Sequence, residues 1–425
     1  MPRTFCIKTL GCKLNQYESS LMAHRFIARG WEAVEFGNAA DVVIINTCTV
    51  TDRSDRKCRG YIRQGARFSR RGGVIVTGCL AEALRDDLLA MPGVLAALTN
   101  AEKDDIVLHA ERLLGADPAR DAPPDIDTPL PFLHTRGFLK IQDGCDNRCS
   151  YCIVPSVRGR ARSRGFDDVL DHARTLIRAG CPELVLTGIT IGNYSDKGGD
   201  LASLAEAIAG LEGDFRLRIT SIEPNHVTER LAAILAHPGV CPHIHLPLQS
   251  GSDRILRLMN RPYARRDYLA AVALLRSACP DIAVGADIII GFPGETEEDF
   301  GESLSMAGEA DFAYVHQFTF SPRAGTPAAA MPGRVAPRVA AERGDRMRAA
   351  SLERALAYRK RFIGRTLPSV VEKNRGGDGF TAVSGNYLKI VLDDTPETRS
   401  ARGRIAGVLL ERADASGNRG RVVTA

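Results

Sequence analysis

The chain has 425 residues, of which 44% are hydrophobic and 25% are charged, and its formal net charge is +5. These values exclude a disordered or fibrous protein and leave room for two or three domains with buried cores. The net charge is mild, but its carriers are mostly Arg and they cluster locally, which suggests a basic patch for a nucleic-acid partner.

The sequence contains no run of about 18 apolar residues, and its start, MPRTFCIKTL, lacks the apolar core and cleavage site of a secretion signal. We therefore expect a cytoplasmic, monomeric protein with no membrane attachment. Its 11 cysteines are not expected to form structural disulfides there, because the cytosol keeps thiols reduced. Metal binding or redox chemistry is the leading explanation for some of them.

The first hundred residues alternate short β-branched runs with helical patterns, and the runs are FCIKTL, DVVIINT and GVIVTG. This alternation predicts a parallel-sheet α/β domain over residues 1–116. Asn15, followed three residues later by Glu18, predicts that the first helix begins with a capping box. Five prolines then fall between residues 118 and 131, which predicts a linker over 117–134.

Six strand candidates separated by helical stretches follow the linker and predict a partial (β/α)6 barrel over residues 135–361. They are FLKIQD, ELVLTGI, RLRITSI, HIHLPLQ, the run 282–292 and FAYVHQFTF. Active-site groups of such barrels gather where strands end. From residue 362 onward, short strand candidates between Gly-rich turns predict a small all-β barrel over 362–425, a fold that commonly binds oligonucleotides.

The segment GCDNRCSYC places Cys145, Cys149 and Cys152 in a C-x3-C-x2-C arrangement just after the first strand of the predicted barrel. Three thiolates on one tight loop can bind three irons of a cubane cluster and leave the fourth iron open to a substrate or cofactor. The alternative is a zinc loop. Structural zinc needs four protein ligands and is usually held by paired C-x2-C knuckles, and the loop has no second knuckle.

Three more cysteines, Cys12, Cys48 and Cys79, each follow one of the predicted strands of the first domain. Carboxyl ends of parallel strands lie along one edge of a sheet, so these cysteines are expected to converge. For any one of them alone, we would favour packing as a small apolar residue. Their recurrence at equivalent positions favours a second ligand set. No such pattern includes the remaining cysteines, which are expected to pack or to face solvent: Cys6, Cys58, Cys181, Cys241 and Cys279.

Basic residues follow the cysteine loop without an intervening acid, at Arg158, Arg160, Arg162 and Arg164. Guanidinium groups bind phosphates in a bidentate manner, so we predict that these four contact RNA. A second basic run lies between Arg53 and Arg71. Charge runs are more often simply solvated faces, and that alternative stays open for both.

The C-x3-C-x2-C loop, together with LTGITIGNY, SIEP, HLPLQSGSD and GADIIIGFPGE at predicted strand ends, resembles the radical SAM superfamily. The resemblance implies a [4Fe-4S] cluster on Cys145, Cys149 and Cys152 that binds S-adenosylmethionine and cleaves it to a radical. It also implies that Gly188 lies near the methionine amino group, and that Glu223 and Gln249 contact the cofactor or the reaction centre.

With KTLGCKLNQYES, NTCTVT, VTGC, VPSVRGRARSR and LPLQSGSDRIL, the whole chain is similar to the methylthiotransferases. This resemblance implies a second [4Fe-4S] cluster on Cys12, Cys48 and Cys79, two S-adenosylmethionines per turnover, an external electron donor and sulfur source, and a TRAM-like RNA-binding tail. The first segment is closest to the MtaB-type branch, which acts on N(6)-threonylcarbamoyladenosine in the tRNA anticodon loop. The alternatives are an N(6)-isopentenyladenosine tRNA, a ribosomal protein or, remotely, a zinc-containing RNA-binding protein without activity.

Overall fold

The N-terminal residues form a parallel five-stranded sheet in a computed structural model that describes residues 2–115, 135–374 and 379–424. The predicted linker, 117–134, lies outside the described residues. The order of the strands in the sheet is β2-β1-β3-β4-β5. Their bounds are β1 (Thr4–Thr9), β2 (Glu32–Ala33), β3 (Val42–Thr47), β4 (Val74–Gly78) and β5 (Val94–Leu98).

Helices cover both faces of this sheet because neighbouring residues of its strands point to opposite sides. Phe5 and Ile44 pack with one set of helices, whereas Cys6 and Ile45 pack with the other. The helices are α1 (Lys13–Ala28), α2 (Asp52–Phe68), α3 (Cys79–Ala83), α4 (Arg85–Leu89) and α5 (Ile106–Leu113). The prediction of an α/β domain with a parallel sheet is confirmed. It missed β2, which has only two residues, and β5, which is rich in alanine.

The capping-box prediction at the first helix is wrong. Helix α1 begins at Lys13 with Cys12 as its N-cap, and no side chain caps it. Asn15 instead donates two hydrogen bonds of 2.8 Å, to the carbonyl oxygens of Leu10 and Thr47. Glu18 forms ion pairs with two side chains from outside the helix. Tertiary contacts therefore recruit both side chains that could have capped the helix locally.

The central residues form six parallel strands in chain order, joined by backbone pairing and isolated bridges into an open, partial barrel. All six strand candidates are confirmed. The six barrel strands are β6 (Gly137–Lys140), β9 (Glu183–Thr187), β12 (Arg216–Arg218), β13 (His243–His245), β14 (Ala283–Ile290) and β15 (Tyr314–Thr319). Two short two-stranded sheets accompany them. One consists of β7 (Gln142–Asp143) and β8 (Arg162–Ser163), and the other of β10 (Ser195–Asp196) and β11 (Gly199–Asp200). The helices are α6 (Val154–Arg158), α7 (Phe166–Arg178), α8 (Leu201–Ala209), α9 (Glu229–Leu235), α10 (Asp253–Leu258), α11 (Arg265–Ala278), α12 (Glu297–Glu309) and α13 (Pro337–Lys360).

The C-terminal residues form a small closed barrel, as predicted, with strand order β16-β17-β18-β20-β19. Its elements are β16 (Thr366–Lys373), β17 (Phe380–Ser384), β18 (Lys389–Leu392), α14 (Pro396–Ser400), β19 (Ile405–Asp414) and β20 (Gly417–Thr424). Buried Arg216 and Arg218 of the central barrel donate hydrogen bonds of 2.7 to 3.0 Å to backbone carbonyls of Pro368, Val383, Ser384 and Gly385. Both arginines also pair with buried Glu183. The terminal barrel is thus held against the central one by buried charged groups.

Within the described ranges, no helix is both long and apolar enough to cross a membrane.

Candidate active site between two cysteine triads

Cys12, Cys48 and Cys79, which we call the sheet-edge triad, lie at the carboxyl ends of three neighbouring strands. Cys12 directly precedes α1, Cys48 directly follows β3, and Cys79 is the first residue of α3. The close approach of the first loop depends on Gly11, whose φ is +100°. A Cβ at Gly11 would lie 2.7 Å from the Cβ of Cys48, so this turn requires glycine. The structure therefore brings the three strand-end cysteines together.

Two thiols of the sheet-edge triad, those of Cys48 and Cys79, have a raised pKa. Burial raises the pKa of Cys48 to about 11, with the neighbouring Cys79 and Cys12 as lesser causes. Burial also raises the pKa of Cys79, although the guanidinium of Arg158, whose Nε lies 3.4 Å from Sγ, opposes this. A bound metal ion deprotonates a coordinating thiol outright, so these thiols become thiolates when they coordinate a metal.

Cys58 supports Cys48, a role that the sequence did not reveal. The backbone N–H of Cys48 donates to the Cys58 sulfur over 3.5 Å, and the Cys58 thiol donates to the Cys48 carbonyl over 3.3 Å. Cys6, Cys181 and Cys241 are buried, and Cys279 is partly buried. These four fit the expectation that they pack, whereas Cys58 packs and also fixes the loop that carries Cys48.

Cys145, Cys149 and Cys152, which we call the loop triad, lie on the turn after β7. The Thr190 hydroxyl donates to the Cys145 sulfur over 3.1 Å, and Nη1 of Arg261 donates to the Cys149 sulfur over 3.1 Å. Burial raises the pKa of Cys152 to about 12, with the two neighbouring thiols as lesser causes. The donors Thr190 and Arg261 stabilise negative charge on the sulfur atoms that they contact, as donors around metal-bound thiolates do.

The spacing within each triad is wider than one zinc ion requires. Among the described residues, neither triad brings its three sulfurs within 4.8 Å of one another. Three thiolates on one zinc ion, each about 2.3 Å from it, would lie within about 4.6 Å. Neither triad, as the structure places its sulfurs, therefore matches a mononuclear zinc site.

The residues predicted to contact cofactor lie around the loop triad. Gly188 is tightly packed, because a Cβ there would lie 2.8 Å from the carbonyl oxygen of Gln142. Glu223 forms an ion pair with Arg261, the same side chain that contacts Cys149. Gln249 has a φ of +67°, a strained value for a residue with a Cβ, and lies at the end of the segment after β13. Arg261 was not predicted, because it lies outside the C-x3-C-x2-C loop and outside the motifs at the strand ends.

Arg158 does not lie on an open surface, and its predicted RNA contact is contradicted by its surroundings. Its side chain is 2% exposed. The guanidinium donates over 2.6 Å to both Glu18 and Asn15 of α1, so it joins the central barrel to the N-terminal domain beside Cys79. Arg160 is 91% exposed and Arg162 is also exposed. Arg164 is partly engaged, because its Nη1 lies 3.0 Å from Nδ1 of His172.

A second buried arginine, Arg323, joins the two domains on the other side of the sheet edge. It donates to Asp52 over 2.8 Å, to Thr49 over 2.8 Å and to Asp55 over 2.6 Å, all in the segment just after Cys48. The sequence did not reveal this role, because the partners of Arg323 lie about 270 residues away in the chain. The two arginines hold the sheet edge against the face of the barrel that carries the loop triad.

A cavity of about 180 Å³, which we call the central cavity, lies where the segment after Cys48 faces Cys152 and the ends of barrel strands. Its lining combines the segment after Cys48, Cys152 of the loop triad and the ends of barrel strands. The residues concerned include Val50, Thr51, Cys152, Gln249, Asp287 and Phe318. One space is therefore bordered by the segment after Cys48 and by Cys152 of the loop triad.

Comparison with known proteins agrees with this arrangement. Residues 139–307 match the radical SAM superfamily, and residues 4–99 match a family described as "Uncharacterized protein family UPF0004". The threonylcarbamoyladenosine tRNA methylthiotransferase MtaB of Bacillus subtilis is 35% identical over 99% of this chain and 96% of its own length. The chain belongs to the radical SAM methylthiotransferase family. It is accordingly a tRNA methylthiotransferase, and this family membership implies an iron–sulfur cluster and S-adenosylmethionine.

Other relatives extend the similarity. The MtaB protein of Thermotoga maritima is 37% identical, with 85% of each chain covered. A tRNA-2-methylthio-N(6)-dimethylallyladenosine synthase of Acidothermus cellulolyticus is 35% identical over 88% of this chain and 78% of its own. A radical S-adenosylmethionine methyltransferase of Kitasatospora setae has the same fold, with a TM-score of 0.59 at 17% identity and 77% coverage of each chain. The methylthiotransferase family thus includes relatives named for different adenosine substrates.

Proposed function

We propose that this methylthiotransferase converts N(6)-threonylcarbamoyladenosine at position 37 of tRNA, next to the anticodon, into its 2-methylthio form. The observation that carries the proposal is the central cavity, which is lined by the segment after Cys48 and by Cys152. Sulfur insertion needs a sulfur-bearing site and a hydrogen-abstracting site at one substrate atom, and proximity is what the protein contributes. The MtaB names of two relatives support the choice of substrate.

In this proposal, the loop triad holds the cluster that binds S-adenosylmethionine and the sheet-edge triad holds a second [4Fe-4S] cluster. Bound there, the clusters and two molecules of S-adenosylmethionine per turnover supply the radical and the methylated sulfur for carbon 2 of adenine. An external electron donor and an external sulfur source are required. Gly188, Glu223 and Gln249 remain our candidates for contacts with the cofactor or the reaction centre.

The residues of the chain position these groups and shape the pocket between them. Arg158 and Arg323 fix the sheet edge against the barrel through contacts of 2.6 to 2.8 Å. Gln249 and Thr51 give the central cavity hydrogen-bonding groups, whereas Phe318 and Val50 give it apolar walls. A pocket of this mixed character orients a base and limits access of water to the reacting atom.

We assign tRNA backbone contacts to the exposed arginines near this pocket. Arg160 and Arg162 leave the cysteine loop on its solvent side, whereas the guanidinium of Arg164 contacts His172 and the carbonyl oxygen of Asp168. Helix α2 adds an exposed basic face with Arg53, Arg56 and Lys57. Phosphate contacts of this kind position an RNA without reading its sequence, and an anticodon-loop base can be splayed out to reach a pocket.

The test is a mass-spectrometric profile of tRNA nucleosides from a strain that lacks this gene. We expect 2-methylthio-N(6)-threonylcarbamoyladenosine to disappear, its unmethylthiolated precursor to accumulate, and the wild-type gene to restore the product. An unchanged level of the threonylcarbamoyl product contradicts the substrate. Loss of the 2-methylthio dimethylallyl nucleoside instead would favour the activity named for the Acidothermus relative.

A further inference from the structure

Three side chains outside both cysteine triads converge on one point of the central barrel. They are His245 at the end of β13, Asp287 in β14 and His316 in β15, and one ligand atom from each lies within 4.8 Å of the other two. The strands are neighbours. Asp287 pairs in register with His316, and His245 pairs with Gly285, two residues before Asp287. Because side chains alternate along a strand, all three lie on the same face.

The contacts within this group are close but are not hydrogen bonds. Nε2 of His245 lies 3.1 Å and Nδ1 of His316 lies 3.5 Å from Oδ1 of Asp287. Oδ1 is nevertheless buried and accepts no hydrogen bond. The ring nitrogens therefore stand beside this oxygen without pointing at it. The ligands of one metal ion are arranged in this way, because each ligand atom points at the ion and not at its neighbour. With metal–ligand bonds of about 2.1 Å, neighbouring ligand atoms lie about 3 Å apart.

The surrounding rings hold the two imidazoles in place. The Tyr314 hydroxyl lies 3.3 Å from Nδ1 of His245, the nitrogen that faces away from Asp287. The Tyr314 ring also stacks on His245 and packs against His316, with centroids 5.9 and 5.0 Å apart. It lies so close over Gly285 that a Cβ there would stand 2.0 Å from it. A partner on the second ring nitrogen is what orients a metal-binding histidine.

We propose that His245, Asp287 and His316 form a binding site for a divalent transition-metal ion such as Zn²⁺ or Fe²⁺. Two imidazoles and one carboxylate are nitrogen and oxygen donors of the kind that these ions accept. Three protein ligands leave a coordination position open, as catalytic sites do and structural zinc sites do not. His316 is 58% exposed on its side chain, and Asp287 lines the central cavity, so water or an oxygen of a bound molecule can fill that position.

The test uses the anaerobic holoenzyme with its cysteine sites fully loaded with iron and sulfide, so that added metal does not occupy thiolates. After chelation and dialysis against Zn²⁺, elemental analysis should find one zinc per wild-type chain. We expect Asp287→Asn and His316→Ala to weaken zinc binding at least tenfold while iron and sulfide stay unchanged. His237→Ala is the matched control, because His237 is exposed and lies outside the group, and it should bind zinc like the wild type.

Two results overturn the proposal. One is a wild-type holoenzyme that binds no zinc under these conditions. The other is a His316→Ala variant that binds zinc as tightly as the wild type. X-ray absorption at the zinc edge adds an independent readout, because the proposed site contributes only nitrogen and oxygen donors, and sulfur in the first coordination sphere would place the ion elsewhere. None of these measurements requires turnover, so they are separate from the test of the tRNA substrate.

Discussion

Each of the two cysteine triads supplies three thiols, but the fold brings them together in different ways. The loop triad spans eight residues of one turn and takes its supporting donors, Thr190 and Arg261, from its own domain. The sheet-edge triad collects Cys12, Cys48 and Cys79 from three strand ends, and Arg158, which contacts Cys79, comes from the other domain. The first site is thus built locally, whereas the second depends on the whole N-terminal fold and on its docking against the barrel.

Removing one cysteine from each triad should separate the two sites most strongly. Cys149→Ala should abolish cleavage of S-adenosylmethionine, because two thiols remain where a site-differentiated cluster needs three. Cys12→Ala should keep that cleavage and lose methylthiolation. Both variants are compared for 5′-deoxyadenosine by chromatography and for iron, which should fall from about eight to about four atoms per chain.

Full sulfur insertion by Cys12→Ala would show that the sheet-edge triad is not a cluster site. Cys279→Ala is the matched control, because this partly buried cysteine lies outside both triads. It should retain iron, cleavage and product.

Arg158→Met tests whether the sheet-edge triad depends on docking between domains. The change leaves buried Glu18 without one of its two cationic partners and removes the donor to Cys79. Breaking a buried ion pair costs about 3 kcal/mol, so the N-terminal domain should unfold at lower denaturant concentration. Trp31, the single tryptophan, is buried in that domain and reports its unfolding by fluorescence.

Exposed Arg160→Met is the control for this change and should shift the free energy of unfolding by less than about 0.5 kcal/mol. Equal stability of the Arg158 and Arg160 variants would contradict the role given to Arg158. Any iron that the Arg158 variant loses should come from the sheet-edge triad. The loop triad should keep its iron, so this variant should still cleave S-adenosylmethionine.

The docking contact should also weaken in acid through His172, which packs against Tyr17 of α1 with ring centroids 6.2 Å apart. Burial, with a smaller effect of Arg164, lowers the pKa of His172 to about 4 from 6.5. Between these pH values the unfolded chain binds the extra proton, so the free energy of unfolding falls as pH decreases, by about 2 kcal/mol between pH 7 and 5. His172→Gln should lose this part of the pH dependence in urea titrations. An identical slope in wild type and variant would contradict it, and His237→Ala should keep the wild-type slope.

The comparison of the triads also explains what the sequence could predict. Spacing within one turn and recurrence at strand ends are local patterns of the sequence. Such patterns were enough to predict the six cysteines of the triads and the six barrel strands. Asn15, Glu18 and Arg158 were misinterpreted for one shared reason. Each was assigned from its neighbours in the chain, as a helix cap or a phosphate contact, whereas the structure joins them to each other across the domain interface. Arg261 and Arg323 went unnoticed because their partners are remote in sequence.

The buried contacts of Arg216 and Arg218 bear on how the terminal barrel can be studied. Burial alone would raise the pKa of Glu183, but these two arginines lower it well below its usual range, so the carboxylate stays ionised between them. Deleting the terminal barrel would strip both guanidinium groups of carbonyl partners and open this charged trio to water. A truncated chain would therefore report damage to the central barrel as well as the loss of the terminal barrel itself. Substitutions on the outer surface of the terminal barrel are the cleaner way to test the RNA binding that the sequence predicts for it.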